Sequence, residues 1–197
     1  LGMQSYHSLE SRGVDLWNRA QESERWQVFR LGTAAHNVLM VNGQQQRVAG
    51  HAPLAAAKPG RTVVDLTGVY RGQLEQARRG VELRADRTVV VQDEFNAGEA
   101  AAVRWAMLTR AEARIEGPGR ATLEREGKTL RLTVVEPAGV ELKIYATERP
   151  PRDTDAPNPG TRMIGFETTG TAGRIVVRLA PGSTAPDKLE TRPLAEW

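Results

Sequence analysis

The residues able to do chemistry crowd into the first forty-five positions of this 197-residue chain. His7 and His36, two of the three histidines, lie there with Trp17, Trp26, Tyr6, Arg25 and Arg30. An imidazole such as His36 can give one ring nitrogen to a metal while the other binds a second partner. A lone histidine is more often satisfied by backbone at a strand edge, and residue type alone leaves both readings open. Arg25 and Arg30 flank Trp26 at strand spacing, and a guanidinium can grip a carboxylate or sulfate through two parallel hydrogen bonds. The plainer alternative is ion pairing with Asp15, Glu22 or Glu24. Tyr6 and His7 offer aromatic and polar tips suited to a saccharide; the alternative is an exposed loop.

Elsewhere the chemical signals are thinner. Asp65, Asp93 and Glu94 invite acid–base or calcium chemistry, but calcium needs about six converging oxygens and no acidic cluster has that density. Asp93-Glu94 reads as a turn feature at a strand end. His51 follows a glycine in a loop, with no partner spacing to give it a role. No GxSxG, P-loop, HExxH or GxGxxG pattern is present. The absence of cysteine excludes disulfides and thiolate metal sites. Lys and Arg exceed Asp and Glu by 27 to 24, and the excess is spread out, which argues against nucleic acid. No apolar run approaches the length of a bilayer span.

The elements that must position these residues read as strands. Residues 24–31 (ERWQVFRL) and 36–42 (HNVLMVN) are expected to form two, closed by the turn signal Asn42-Gly43. Residues 61–68 carry a β-branched run, and 78–84 with 87–95 form a hairpin around Ala85-Asp86. Val103, Trp105 and Met107 alternate, as do Leu130, Leu132 and Val134, then Val140, Leu142 and Ile144, and finally Ile175, Val177 and Leu179. Such period-two alternation buries one face of each strand. Gly117-Pro118-Gly119, Glu126-Gly127, Pro137-Ala138-Gly139 and Ala172-Gly173 mark turns. Residues 7–22 suit a short helix or a loop. Residues 149–161, with four prolines in thirteen positions, suit an exposed loop. Trp17, Trp26 and Trp105 are expected in the core. The fold class is therefore all-β: a large antiparallel two-sheet β-sandwich with few or no helices, over residues 1–182. Residues 183–197 form a C-terminal tail that packs on the sandwich or stays flexible.

One constellation is more specific. Asp15–Asn18 (DLWN), Arg25–Arg30 (RWQVFR), His36–Leu39 (HNVL) and Asn42–Gln46 occur in an order that resembles the heparinase II/III family of polysaccharide lyases. VVDLTGVYRGQLEQARRGVEL followed by TVVVQDEF continues the likeness. The resemblance implies a β-sandwich facing an α/α toroid across a cleft that takes an acidic, uronate-containing polysaccharide. It implies β-elimination: a base removes the C5 proton of the uronate, its carboxylate is neutralised, and an acid protonates the leaving oxygen. It further implies a structural zinc near the cleft, with His36 at the position of a zinc-ligating histidine. The other ligands and the proton-transfer Tyr and His would lie upstream of Leu1. One histidine cannot hold zinc, which takes about four ligands.

The expectation is thus the C-terminal sandwich portion of a heparin- or heparan-type lyase, inactive on its own. It would have no catalytic residue of its own, substrate contacts at Tyr6 and Arg30, a metal ligand at His36, and zinc in the full-length enzyme only. Its partners would be the acidic polysaccharide and the upstream toroid, with neither nucleic acid nor membrane. Sheet edges exposed by truncation would permit a homodimer, and the family implies a periplasmic or secreted location. Two other readings are a non-catalytic carbohydrate-binding or structural sandwich module, and an alginate or chondroitin lyase with an analogous sandwich. The DLWN and VFR elements favour the heparinase II/III type over the latter.

Overall fold

The computed structural model describes residues 4–182 and 189–197. Among these residues ten strands form the body: β1 (Leu39–Val41), β2 (Leu54–Lys58), β3 (Arg61–Asp65), β4 (Gln76–Leu83), β5 (Val89–Thr109), β6 (Glu112–Gly117), β7 (Arg120–Arg125), β8 (Lys128–Glu136), β9 (Lys143–Ala146) and β10 (Arg162–Pro181). Every pairing is antiparallel. The order is β2-β3-β4-β5-β10-β8-β7-β6, with β1 added on β5 and β9 on β10. The fold is the expected all-β sandwich type.

Two long strands make the layers. The first half of β5 pairs with β4 and with the second half of β10; its second half pairs with β1 and with the first half of β10. The register shift between Gly170 and Ala172 sits where β10 passes from one partner set to the other. Ala172-Gly173, read as a turn in the sequence, is therefore an irregularity inside a continuous strand, where a bulge bends the ladder without ending it. Alternation then does the rest. Leu39, Val41, Trp105 and Phe166 from one wing share a single core with Phe95, Leu123, Leu132, Ile175 and Val177 from the other.

The opposite face of the larger wing is covered by the end of the chain. Leu189, Leu194 and Trp197 pack on Val63, Val90 and Val176. Gly80 makes this possible: a Cβ there would lie 2.3 Å from Leu194 Cδ2 and 2.8 Å from Trp197 Cζ3. Glu94 Oε1 accepts the Leu194 amide at 2.9 Å, and Lys58 Nζ donates to the Trp197 carbonyl at 2.9 Å. Residues 183–188 of the expected tail lie outside the described residues.

Several local expectations are corrected. Residues 24–31 are not a strand: Glu24–Gln27 form a 3-10 turn, Thr33–Ala35 a second, and only Leu39–Val41 extend. The reason lies in where their backbone groups bond. Phe29 N–H donates to Asp155 and Thr33 N–H to Gln45 Oε1, so side chains replace a neighbouring strand. Val28 anchors the stretch in a small separate core with Leu9, Val14 and Leu16. Trp17 is 60% exposed rather than buried, and Trp26 is half-buried; only Trp105 of the three joins the main core. The loop at 149–161 is not simply exposed, because Asp155 and Asn158 are buried. Asp93 lies inside β5, wholly buried, and not at a strand end.

Candidate functional site

The N-terminal segment wraps its small core and carries the aromatic and cationic groups outside it. Helix α1 (Tyr6–Glu10) starts at Ser5, whose hydroxyl accepts the Ser8 amide. Asp15 Oδ1 accepts the amides of Trp17 and Asn18 at 3.3 Å, which fixes a tight bend and turns the Trp17 ring outward. There the indole N–H donates to Glu10 Oε1 at 2.6 Å, and the ring meets Tyr6 edge-on at 5.7 Å between centroids. Arg25 sits 5.6 Å from the Tyr6 ring and 5.2 Å from the Trp26 ring, with Nη1 donating to the Leu16 carbonyl at 2.6 Å. Tyr6 is 40% exposed. The result is an open face on which the Tyr6 and Trp17 rings meet, with the Arg25 guanidinium held over the Tyr6 ring and near the Trp26 ring. Such a face can cover sugar C–H groups and attract a nearby anion. His7 is exposed on the same helix.

Arg30 occupies a different setting. Its guanidinium donates to Gln4 Oε1 (2.5 Å), Asn158 Oδ1 (2.7 Å) and the carbonyls of Ala156 (3.2 Å) and Pro157 (3.3 Å). Burial lowers its pKa, and the Asp155 carboxylate opposes that. Arg30 thereby ties the 149–161 loop to the segment before α1. Glu24 adds an ion pair to Arg152 of the same loop, and that hydrogen bond, with the Asp15 amide, holds its carboxyl below the ordinary range.

His36 is exposed, and its Nε2 lies 3.1 Å from the Arg30 carbonyl. A carbonyl only accepts, so Nε2–H is the donor in this contact and Nδ1 is the ring nitrogen that it leaves open. Among the described residues no three His, Asp or Glu side chains gather, so the groups present do not by themselves form a zinc centre. His36 and Arg30 thus meet through backbone, while no hydrogen bond joins Tyr6 to His36 among the described residues.

Sequence reasoning missed what holds His36 in place. The neighbouring Asn37 accepts the Leu108 amide on Oδ1 at 2.8 Å and Arg79 Nη1 on its carbonyl at 2.5 Å. Arg79 grips Asp93 through Nε (2.7 Å) and Nη2 (2.9 Å) from the directly opposite position on β4. Desolvation works against the Arg79 charge, but Asp93 outweighs it and raises the pKa. Tyr70 donates to the Leu39 carbonyl at 2.7 Å and receives Gln46 Nε2 at 2.9 Å, and burial keeps its phenol protonated. The one signal available was the pairing of a β-strand arginine with an acid across the expected 78–84/87–95 hairpin.

Residues 2–183 match the family described as heparinase II/III-like, C-terminal. The chain belongs to that family. The matched region contains α1, the aromatic face, His36 and all ten strands of the heparinase II/III-like domain. No curated protein matches it by sequence. Among solved structures it is similar to a heparinase III (TM-score 0.63, 16% identity, covering 80% of this chain and 25% of that one). It is also similar to a second heparinase III (0.63, 16%, 91% and 26%) and to a heparan sulfate lyase from Pedobacter heparinus (0.58, 15%, 77% and 25%). At these identities the likeness is one of fold. The chain spans about a quarter of the length of these structures.

Proposed function

We propose that this domain is the sandwich half of a polysaccharide lyase that cleaves acidic, uronate-containing glycans by β-elimination, and that the Tyr6–Trp17–Arg25 face is where it touches the glycan. The observation that carries the contact is a tryptophan 60% exposed beside a tyrosine 40% exposed, with the Arg25 guanidinium over the tyrosine ring. Large aromatic side chains left open to solvent mark binding surfaces more often than scattered aliphatic ones do. Family membership supports the lyase reading. The proton-transfer groups belong to a further α/α toroid domain in this proposal, so the chain alone is expected to be inactive. Arg30, expected as a direct substrate contact, acts here by positioning the loop behind the face. His36 supplies one ligand of a zinc site that other parts of the protein complete; bound zinc would hold the loop at residues 30–37 in shape. The location is periplasmic or secreted in this proposal, as membership of the family implies. Edge strand β6 carries Glu112, Arg114 and Glu116, and such charges oppose edge-to-edge dimers. No helix among the described residues is long and apolar enough to cross a membrane.

The test has two parts. Calorimetric titration of the chain with a heparan-derived tetrasaccharide should show binding that Trp17→Ala weakens about tenfold. The entire natural polypeptide should release unsaturated uronate, seen by its absorbance, from at least one uronate glycan. Binding without any turnover by the entire polypeptide would favour a non-catalytic carbohydrate-binding module instead.

A further inference from the structure

We propose that a cleft on the same domain, between the loop at residues 47–53 and the 3-10 turn Thr67–Tyr70, is a second subsite that takes an anionic sugar unit of the glycan. The inference rests on the acidic-glycan reading above. The cleft has a volume of about 460 Å³ and is lined by Arg47, His51, Asp65, Thr67, Arg71 and Gln21, among others.

Its walls are fixed by close backbone packing. A Cβ at Gly68 would stand 2.4 Å from the His51 carbonyl oxygen, and one at Gly50 would stand 2.6 Å from Val69 Cα. Only glycine lets the loop and the turn approach so closely. Arg47 N–H donates to the Val69 carbonyl and Arg47 Nε to the Arg71 carbonyl, each at 2.8 Å. Arg47 therefore stitches the start of the loop to the turn and to the residue that follows it.

The polar groups facing the opening are largely uncommitted. The guanidinium of Arg71, the terminal nitrogens of Arg47 and the imidazole of His51 make no hydrogen bond among the described residues, and Arg47, His51 and Arg71 are exposed. Asp65 is engaged: Oδ1 accepts the Thr67 amide at 2.9 Å, and the Thr67 hydroxyl and amide hold its carboxyl below the ordinary range. Two guanidinium groups against one carboxylate leave net positive charge. That balance fits a carboxylate or sulfate paired with cationic donors. The carboxylate wall then distinguishes the source of the anion. It repels a bare oxyanion but accepts hydrogen bonds from hydroxyls, so it suits an anionic group carried on a sugar. Ala49 and Pro53 add apolar wall for ring C–H groups.

The cleft also lies close along the chain to the aromatic face. Gln21, on its wall, donates to the Gln46 carbonyl at 3.0 Å and accepts the Val48 amide at 2.9 Å. Trp17 and Gln21 are four residues apart, so their backbones are separated by at most about 14 Å. One short oligosaccharide could therefore reach from the rings to the arginines. His51, which follows Gly50 and had no partner spacing in the sequence, joins the cleft wall only through this packing.

The experiment is a calorimetric comparison of wild type, Arg71→Glu, Arg71→Ala and Trp17→Ala. Each is titrated with a heparin-derived tetrasaccharide, a neutral tetrasaccharide and inorganic sulfate, and unchanged thermal melting certifies the fold. Arg71→Glu should weaken the heparin tetrasaccharide by about tenfold and Arg71→Ala by less. The neutral sugar should bind weakly throughout, and sulfate should not displace the tetrasaccharide. If Trp17→Ala weakens binding while both Arg71 variants match wild type, the glycan reading stands and this subsite falls. If sulfate binds as tightly as the sugar, the cleft is an ion site and the proposal is overturned. If wild type binds no acidic sugar, the glycan reading itself falls, and the subsite with it.

Discussion

The two long strands and the N-terminal segment occupy one domain but are held together by different physics. In β5 and β10, alternate side chains enter a shared core and the backbone bonds lie in a regular ladder. In residues 4–50, regular structure is sparse, and side chains of Ser5, Asp15, Gln45 and Asp155 take over the backbone donors one by one. The ladder is tolerant, because any apolar residue of the right size preserves it. The second arrangement is exacting, because each polar partner is specific, and at Gln45 and Asp155 a missing one leaves a part-buried amide unsatisfied. The aromatic face, Arg30 and His36 sit on the exacting part, and the cleft at residues 47–53 lies where that part meets the end of β3 and the turn after it.

The largest effect that this contrast predicts is in the ladder. Phe166 is fully buried and stacks near Trp105 at 6.1 Å between centroids. Phe166→Ala should cost about 4 kcal/mol of global stability, read as a lower midpoint in urea unfolding. Exchange of backbone amides should rise across β1, β5 and β10 together. A loss under 1 kcal/mol would mean that the two wings do not share one core.

A smaller and more local effect is expected where the polar stitching is densest. Asn158 Nδ2 donates to the Thr147 carbonyl at 3.2 Å, while its Oδ1 receives Arg30. Asn158→Ala should cost about 2 kcal/mol by leaving both partners short of a hydrogen bond. Amide exchange should quicken at residues 149–161 and around Arg30, with β5 and β10 unchanged. Quickening in the ladder as well would erase the distinction between the two regions.

The same contrast explains what was legible in the sequence. Leu130, Leu132 and Val134 declare a strand because each faces one core, and the period of two survives in the letters. RWQVFR carries a similar-looking alternation, yet its first half folds as a 3-10 turn and none of it as a strand, because Gln45 donates to the Trp26 carbonyl and Asp155 accepts the Phe29 amide, both distant in sequence. The Arg79–Asp93 pair was hidden for a related reason: it exists only once β4 and β5 are in register. Tyr6, Arg30 and His36 were found by motif, but their surroundings were not. Nothing in the order of residues says that Arg30 faces the 149–161 loop, that Trp17 is turned out by Asp15, or that Gly50 and Gly68 let His51 and Arg71 line one cleft.

The smallest effect concerns the chain's end, where the two kinds of attachment meet. Leu194 and Trp197 bury apolar surface on the larger wing, while Glu136 holds Arg174 through Nε at 2.5 Å and Nη2 at 3.1 Å and also accepts the Thr191 hydroxyl. Burial pushes the Glu136 carboxyl up, but Arg174 and Thr191 outweigh it, so its pKa is lowered from 4.5; Glu82 is lowered likewise by Arg61 and Arg84 against its own burial. A carboxyl lowered in the folded state stabilises fully above its unfolded value, and that contribution is lost as pH falls through the lowered folded value. Acid should therefore loosen the tail before it melts the ladder. Hydrogen exchange at the Leu194 amide, which Glu94 accepts, should rise relative to β5 amides as pH drops below 4.5, once intrinsic rates are divided out. Glu136→Gln should cost about 1 kcal/mol at neutral pH and remove part of that acid sensitivity. If the Leu194 amide and the β5 amides instead open together at every pH, the tail is as much a part of the cooperative core as the long strands, and its polar clasp contributes nothing separate.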